Sequence, residues 1–249
     1  MTQHSPAPDD YCPLDDITAA MQLEALLDRT AAIEGRIVDL GCGDGRTAVP
    51  LARSGRSVLA IDNDPVALDA LRSRLEAEDP QTRANITTLQ ADATTLDAKT
   101  LAEAAAKPID AALCLGHTFM LLHDPLDALK LMRVLREALS PHGFFAIDDF
   151  PHDLWYEVSE GNWQSGIAEM DPQDGSGTEL WQMVWKPGEP VIAIRRDQQV
   201  NPDEIEILPT DRLHRLYSVG ELRLLAACSD FNEPTRSPEE AMILFTPAR

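Results

Sequence analysis

The segment from Val38 to Gly45, with the sequence VDLGCGDG, constrains the fold of this chain more than any other feature. It continues an apolar run typical of a buried strand, and a helical pattern begins directly after it, near Arg46 or Thr47. Closely spaced glycines in a strand-to-helix turn let the backbone pass near a ligand, because no side chain intervenes. The segment therefore predicts an α/β domain with a ligand site at the end of its first strand.

Apolar runs and helical patterns alternate regularly from Arg36 to Asp149, which indicates consecutive βα units and a parallel sheet. The predicted strands are 37–40, 57–61, 85–90, 111–115 and 143–147. The predicted helices are 15–30, 46–54, 65–78, 98–106 and 125–139. A helix at 219–227, a short strand near Phe231 and a final strand at 241–245 would complete a Rossmann-like sheet of seven strands, mostly parallel and flanked by helices.

Between Asp149 and the helix predicted at 219–227, the pattern changes to alternating apolar and polar residues. This change indicates an antiparallel β insertion after strand five. Its predicted strands are 163–170, 178–185, 191–199 and 204–208. Most of its tryptophans are expected in a small β core. An insertion at this point could also form a lid over a substrate pocket. The predicted segments are a mobile arm at 1–14, the α/β core at 15–153, the insertion at 154–216, and the last helix and terminal strands of the core at 217–249.

Composition disfavours several classes of function. Lys and Arg number 21 against 42 Asp and Glu, and the resulting net charge of −21 repels nucleic-acid backbones and anionic membrane surfaces. The four cysteines are scattered without a CxxC pair, so neither a disulfide framework nor a metal site is expected. The sequence shows no signal peptide and no apolar run of about 20 residues, which predicts a cytoplasmic protein.

The spacing of the glycines discriminates between two cofactor classes that use such a turn. Dinucleotide sites carry G-x-G-x-x-G, whereas Gly41, Gly43 and Gly45 form G-x-G-x-G. Asp39, two residues before the first glycine, would repel a pyrophosphate but could bind the positively charged amino group of S-adenosylmethionine. Both departures favour the sulfonium cofactor.

Acidic residues also end the next two predicted strands. Asp62 lies 21 residues after Gly41, where a carboxylate can accept hydrogen bonds from ribose hydroxyls, although this feature alone fits either cofactor. Asp92, followed by the small Ala93, could bind the adenine amino group beside the main chain. Ligands of open α/β sheets bind at the carboxyl ends of the strands, so Asp39, Asp62 and Asp92 predict one ordered site.

With these residues the chain resembles the class I S-adenosylmethionine-dependent methyltransferases, over about 15–149 and 215–245. In that family the residues matching Asp39, Gly41 and Gly43 surround the methionine part of the cofactor. The residue matching Asp62 binds the ribose, and the one matching Asp92 faces the adenine. The segment CLGHTF at 114–119 is similar to the strand-four edge of glycine and amino-sugar N-methyltransferases, where Asn is common in place of His117. The resemblance implies S-adenosylmethionine as cofactor, S-adenosylhomocysteine as product and a small-molecule acceptor. The candidate cofactor-binding residues are Asp39, Gly41, Cys42, Gly43, Asp62, Asn63, Asp92, Ala93, Leu115 and Gly116.

The candidate catalytic residues lie at the same predicted edge. Methyl transfer is an in-line displacement, so the enzyme must mainly align a nucleophile with the methyl carbon, and a base is needed only for a protonated acceptor. The candidates are Tyr11, His117, Asp148 and Asp149. His117 could act as a general base or simply hydrogen-bond backbone in a loop. Asp148 and Asp149 point to opposite faces if the strand continues, so at most one faces the substrate.

Three functions stay open at this point. The first is methyl transfer to a small-molecule amine or hydroxyl, the second is NAD(P)-dependent oxidoreduction, and the third is S-adenosylmethionine binding without catalysis. Neither nucleic acid nor a membrane is expected as a partner, and a homodimer is compatible with the sequence.

Overall fold

The computed structural model describes residues 16–149, 165–170 and 177–248 of the 249-residue chain. These residues form two compact units. The first unit contains the described residues up to Phe119, Leu126–Asp149 and those from Arg223 onward. The second contains Met120–Pro125 and the described residues between 165 and Leu222.

A seven-stranded sheet with the order β10-β11-β5-β4-β1-β2-β3 forms the centre of the first unit. Its strands are β1 (Arg36–Leu40), β2 (Ser57–Asp62), β3 (Ile86–Gln90), β4 (Ile109–Cys114), β5 (Leu139–Asp148), β10 (Thr235–Ser237) and β11 (Met242–Phe245). The first five are parallel to one another, whereas β11 is antiparallel to both β5 and β10. The prediction of a mostly parallel, Rossmann-like sheet is confirmed.

Seven α-helices occur among the described residues. They are α1 (Asp16–Arg29), α2 (Ala48–Arg53), α3 (Pro65–Glu76), α4 (Pro80–Ala84), α5 (Ala98–Ala105), α6 (Pro125–Ala138) and α7 (Val219–Cys228). Leu26 of α1, Leu51 of α2 and Leu68 of α3 are fully buried in one cluster with Ile37 of β1 and Val58 of β2. Burial of these apolar side chains fixes the helices on the sheet.

Local sequence signals explain where several helices begin. Oδ1 of Asp64 accepts a 2.8 Å hydrogen bond from the backbone N–H of Val66, so Asp64 caps α3 as its sequence position before Pro65 predicts. The short helix α4 was not predicted. It begins at the same Asp-Pro signal, since Asp79 caps it.

The start of α2 is shifted by two residues from its predicted position at residue 46. Residues 41–47 form the turn, and the helix begins at Ala48. Pro50 then lies in the first helical turn, where the N–H that proline lacks would have no partner within the helix.

The second unit contains an antiparallel sheet with the order β6-β7-β8-β9. Its strands are β6 (Ser165–Met170), β7 (Glu179–Trp185), β8 (Val191–Arg196) and β9 (Leu213–Arg215). Trp185 of β7 is buried, and the guanidinium of Arg196 lies 4.2 Å from the ring centroid of Trp181. The three-residue strand β9 pairs with β8.

Two predicted strands were wrong in position. The fourth strand of the insertion is β9, not 204–208. Residues 204–208 form no strand, because their backbone carbonyls bind the buried side chain of Arg195. The guanidinium of Arg195 donates to the carbonyls of Glu204 and Glu206 at 2.9 and 2.8 Å and pairs with Asp211 at 2.7 Å. The predicted strand near Phe231 is also displaced: Phe231 makes an isolated bridge to Pro247, and the strand is β10.

Candidate functional site

The turn between β1 and α2 is fixed by hydrogen bonds to the neighbouring strand. The backbone N–H groups of Gly41 and Cys42 both donate to the carbonyl of Ile61, at 2.8 and 3.0 Å. A Cβ added to Gly41 would lie 2.3 Å from Cγ2 of Thr118, so Gly41 packs directly against the segment that follows β4. The sheet order reverses between β1 and β4, which is where open α/β sheets bind ligands.

Gly43 and Gly45 have different surroundings, although both have positive φ, at 55° and 89°. A Cβ added to Gly43 would meet no atom of the described residues within 4 Å, so its backbone borders open space. A Cβ added to Gly45 would lie 2.4 Å from Cδ1 of Leu71 on α3. Gly43 therefore leaves room for a ligand, whereas Gly45 permits close packing of the turn on a helix.

Asp39 is a buried carboxylate near the end of β1, with 3% exposure. Its Oδ2 has no hydrogen-bond partner among the described residues. Burial raises the pKa of Asp39 to about 7, although the positive charge of Arg46 acts in the opposite direction. A buried carboxylate with one free oxygen is costly in an unliganded protein and suits a ligand that brings a cationic donor.

The carboxylate of Asp62 connects the end of β2 to the glycine turn. Oδ2 accepts a 2.9 Å hydrogen bond from the N–H of Gly43, and Oδ1 accepts one of 2.9 Å from the N–H of Asp64. Each carboxylate oxygen can accept a second hydrogen bond. Asp62 therefore orders the turn, a role that the sequence did not reveal, and both of its carboxylate oxygens can still accept a further hydrogen bond.

An open pocket with a volume of about 470 Å³ lies beside the ends of β2 and β3. Asn63, Gln90, Ala91 and Asp92 line it. Oδ1 of Asp92 accepts hydrogen bonds from the N–H and the hydroxyl of Thr94, both at 2.8 Å, which shape the loop after β3. The structure thus brings Asn63 and Asp92 to the same pocket, and the small residue among its lining residues is Ala91.

The segment after β4 contains two consecutive residues in the left-handed conformation, Gly116 with φ of 69° and His117 with φ of 61°. Such a φ is strained for histidine. Both N–H groups donate to Asp148 of β5, at 3.0 Å from Gly116 and 2.7 Å from His117. Leu115 beside them is buried. Asp148 therefore fixes the backbone that presents His117.

Asp148 and Asp149 lie in different environments, as their alternation along a strand predicts. Asp148 is 2% exposed and accepts a third hydrogen bond, of 2.8 Å, from Nε2 of Gln22 on α1. Asp149 forms an ion pair with half-exposed Arg236 of β10, with 2.6 Å between Oδ1 and Nε. The two carboxylates therefore have different partners, and their catalytic assignment stays a prediction. These contacts favour a positioning role for Asp148 and a structural ion pair for Asp149.

Two candidates remain, Cys42 for cofactor binding and Tyr11 for catalysis. The thiol of Cys42 is buried, and burial together with the charge of Asp39 raises its pKa well above the usual range, so it does not act as a thiolate. Tyr11 lies outside the described residues.

Sequence reasoning missed Gln22 and Arg46. Oε1 of Gln22 accepts a 3.5 Å hydrogen bond from Nη2 of Arg46, while Nε2 donates to Asp148. Arg46 follows the glycine motif directly, where the sequence indicates only the approximate start of a helix. Gln22 gives no signal, because a polar residue on an amphipathic helix is normally expected at the surface.

The described residues contain neither a membrane-spanning helix nor a cluster suited to a metal ion. None of their helices is both long and apolar enough to cross a membrane. No cluster of three or more His, Cys, Asp or Glu side chains in the described ranges could bind a metal ion.

Comparison with known sequences identifies the central part of the chain. Residues 37–143 match the family model described as a methyltransferase domain. The chain is 25% identical over 217 residues to the ubiquinone biosynthesis O-methyltransferase of Hahella chejuensis, covering 86% of this chain and 83% of that protein. A 43-residue segment is 46% identical to the magnesium-protoporphyrin O-methyltransferase of Rhodobacter capsulatus, but it spans only 17% of this chain and 19% of that enzyme.

Solved structures share the fold over nearly the whole chain at low sequence identity. The CcbJ methyltransferase from Streptomyces caelestis has a TM-score of 0.70 and 18% identity, covering 99% of this chain and 94% of that one. The glycopeptide N-methyltransferase MtfA complexed with S-adenosylhomocysteine has a TM-score of 0.59 and 20% identity, with coverages of 95% and 90%. The sugar N-methyltransferase KedS8 from a Streptoalloteichus species has a TM-score of 0.59 and 14% identity, with coverages of 94% and 88%.

Proposed function

We propose that the chain, which has a Rossmann-like fold, is a class I S-adenosylmethionine-dependent methyltransferase and that it methylates an amine of a small molecule. The main support for the cofactor site is the carboxylate of Asp39. Its buried Oδ2 has no hydrogen-bond partner among the described residues, and the glycine turn next to it borders open space. The amino group of the methionine moiety is the cationic donor that such an oxygen needs.

The remaining contacts to the cofactor are assigned by position along the strand ends. Asp62 would accept hydrogen bonds from the ribose hydroxyls while it orders the N–H of Gly43. Asn63 and Asp92, which line the open pocket beside β3, would contact the adenine. In this arrangement the methionine moiety would lie near Gly43 and the segment after β4.

S-adenosylmethionine, when bound, supplies a methyl group that an acceptor lone pair takes, while the sulfur keeps the electrons of the broken carbon–sulfur bond. The main task of the chain is to align the acceptor. The proton that an amine must lose would go to an imidazole nitrogen of His117. Asp148 serves this step indirectly, because it fixes the backbone of His117.

The charge of the chain supports an amine over an anionic or neutral acceptor. With a net charge of −21, the protein attracts small cations and repels anions. Amines are protonated near pH 7 and therefore benefit from this field. MtfA and KedS8, which share the fold, are themselves named as N-methyltransferases. The two relatives found by sequence are named as O-methyltransferases, so a hydroxyl acceptor is the second candidate.

Calorimetric titration tests the cofactor assignment. We expect S-adenosylhomocysteine to bind and NAD to give no heat at the same concentrations. Binding of NAD without binding of S-adenosylhomocysteine would overturn the assignment and favour an oxidoreductase.

A methyl-transfer screen tests the acceptor class. Deuterated S-adenosylmethionine is incubated with matched pairs that differ only in an amino or a hydroxyl group, such as an amino sugar and its parent sugar, and products are detected by mass. We expect transfer to members of the amine series only. Transfer to the hydroxyl members would overturn the amine proposal, and no transfer to either series despite cofactor binding would favour a non-catalytic binding protein.

A further inference from the structure

Gln22 of α1 is a polar side chain that is almost completely buried, with 1% exposure. A buried amide is costly unless its donors and its acceptor find partners. Nε2 donates to Oδ1 of Asp148 at 2.8 Å and to the carbonyl of Ala241 at 3.1 Å. Oε1 accepts the 3.5 Å hydrogen bond from Nη2 of Arg46. The amide therefore connects α1 to the end of β5, to the residue before β11 and to the glycine turn.

Only one orientation of the Gln22 amide satisfies these contacts. In the flipped orientation its oxygen would face the carboxylate of Asp148, which is an acceptor. Its NH2 group would then face the guanidinium of Arg46, which can only donate. The partners therefore fix the direction in which Nε2 donates.

Gln22 shares one oxygen of Asp148 with the segment after β4. Oδ1 accepts hydrogen bonds from Gln22 and, at 3.0 Å, from the N–H of Gly116, while Oδ2 accepts one of 2.7 Å from the N–H of His117. The two backbone bonds require a defined rotation of the carboxylate plane, and the torsion that sets this rotation has only broad preferences of its own. Within the described ranges, Gln22 makes the only side-chain hydrogen bond to Asp148, and this bond restrains the rotation.

We propose that Gln22 is a positioning residue for methyl transfer. It holds the carboxylate of Asp148 in the orientation that binds both N–H groups, and the backbone held in this way presents His117 to the acceptor. The inference rests on the proposed function, which assigns the acceptor's proton to His117. Gln22, Asp148 and Ala241 lie outside residues 37–143, which match the family model, so this support comes from the parts of the chain that flank the matched domain.

A second contact anchors α1 at nearly the same place and provides a matched control. The guanidinium of Arg29 binds the carboxylate of Glu240, with 2.9 Å from Nε to Oε1 and 2.6 Å from Nη2 to Oε2. Glu240 precedes Ala241, the residue whose carbonyl binds Gln22. If Gln22 only docked α1 on the sheet, loss of either contact would have the same consequences.

The experiment compares Gln22→Met, which keeps the length of the side chain but removes its hydrogen bonds, with Arg29→Gln. Hydrogen exchange of the Gly116 and His117 amides is measured by mass spectrometry with S-adenosylhomocysteine bound. Turnover is measured with the amine series of the methyl-transfer screen, and the affinity for S-adenosylhomocysteine is measured by calorimetry. Thermal melting establishes that each variant is folded.

We expect Gln22→Met to speed exchange of the two amides by about tenfold or more and to lower kcat by about 5- to 20-fold, the effect of one lost buried hydrogen bond. The affinity for S-adenosylhomocysteine and the KM of the acceptor should change by less than about threefold, because both N–H groups keep their acceptor. Arg29→Gln should exchange and turn over like the wild type. Adding Gln22→Met to Asp148→Asn should lower turnover no further, because Gln22 acts through Asp148.

Gln22→Glu is a second variant that tests the inference even if Gln22→Met does not fold. It keeps the acceptor for Arg46 and places a carboxylate oxygen, in place of the N–H donor, against Asp148. A protonated carboxyl group can donate to Asp148 again. The turnover of this variant relative to the wild type should therefore recover at acidic pH, and a ratio that does not change with pH would overturn the inference.

Equal changes of exchange and turnover in Gln22→Met and Arg29→Gln would also overturn it and make Gln22 a structural anchor of α1. Losses that multiply in the double variant would have the same meaning. The exchange measurement does not require turnover, so the two proposals fail separately. If the wild type does not bind S-adenosylhomocysteine, the proposed function fails; if it binds and Gln22→Met exchanges and turns over like the wild type, this inference alone fails.

Discussion

The backbone N–H of His117 donates a 2.7 Å hydrogen bond to Oδ2 of Asp148, a residue 31 positions later in the chain. The bond joins the segment after β4 to the end of β5, and it restrains a histidine whose φ of 61° is strained. The same carboxylate also accepts hydrogen bonds from Gly116 and from Gln22 of α1. One buried side chain thus fixes three parts of the proposed site.

Asp148→Asn should destabilise the protein and weaken cofactor binding. Asparagine has one acceptor oxygen where Asp148 uses two, so at least one of the three N–H groups bound to it, which are partly or fully buried, loses its partner, at a cost of about 1–3 kcal/mol. Urea unfolding and titration with S-adenosylhomocysteine measure the two effects.

Asp149→Asn is the matched control for that variant. The side chain of Asp149 is 9% exposed, but its partner Arg236 is 52% exposed and keeps its hydration, so loss of this ion pair should cost only about 1 kcal/mol. Equal destabilisation by the two variants would contradict the positioning role of Asp148.

The affinity for S-adenosylhomocysteine should rise with pH through the pKa of Asp39. Burial raises the pKa of this carboxyl to about 7, and only the ionised form attracts the ligand's ammonium. The ionised fraction rises from about a tenth at pH 6 to about nine tenths at pH 8, so the dissociation constant should fall about tenfold. Calorimetry across this range should show weak, pH-independent binding for Asp39→Asn. Tight binding by the wild type with no dependence on pH would contradict the assigned contact.

Gly43→Ala and Gly45→Ala should separate ligand binding from folding. Both residues have positive φ, which costs an alanine about 1–2 kcal/mol. The added methyl group at Gly43 enters open space, so this variant should fold but lose affinity for S-adenosylhomocysteine. The added methyl group at Gly45 overlaps Leu71, which should cost about 1–3 kcal/mol more. Urea unfolding measures the stability of both variants, and calorimetry measures their affinity for S-adenosylhomocysteine. Wild-type affinity in the Gly43→Ala protein would show that the ligand does not occupy the space beside Gly43.

His117→Ala should lower turnover more than it lowers the affinity for S-adenosylhomocysteine, because the imidazole is assigned to the acceptor's proton. His117→Gly is the control for the backbone. Glycine adopts positive φ without strain, so it should lose the same turnover and be more stable than the alanine variant. Parallel losses of turnover and cofactor affinity in both variants would indicate a structural His117.

Part of the site follows directly from local sequence. Several of its features are encoded within a few residues of where they act. They are the strand-to-helix glycine turn, the acids at the ends of β1, β2 and β3, and the helix cap at Asp64. The parallel sheet is predictable for the same reason, since each βα unit carries its own periodicity. Errors of position occurred at 204–208 and near Phe231, where alternating residues resemble a strand but tertiary contacts determine the backbone, as the hydrogen bonds of Arg195 show.

The sequence by itself determined the fold class, the glycine turn and the order of the acids along the sheet edge. Only the tertiary structure decided that Asp39 retains a buried oxygen without a partner among the described residues, that Asp148 supports the backbone of His117, and that Gln22 and Arg46 lie at the same edge. The physical reason is distance along the chain. Gln22 and Asp148 are 126 residues apart, and periodicity and motif spacing carry no information about hydrogen bonds between side chains so far separated in sequence.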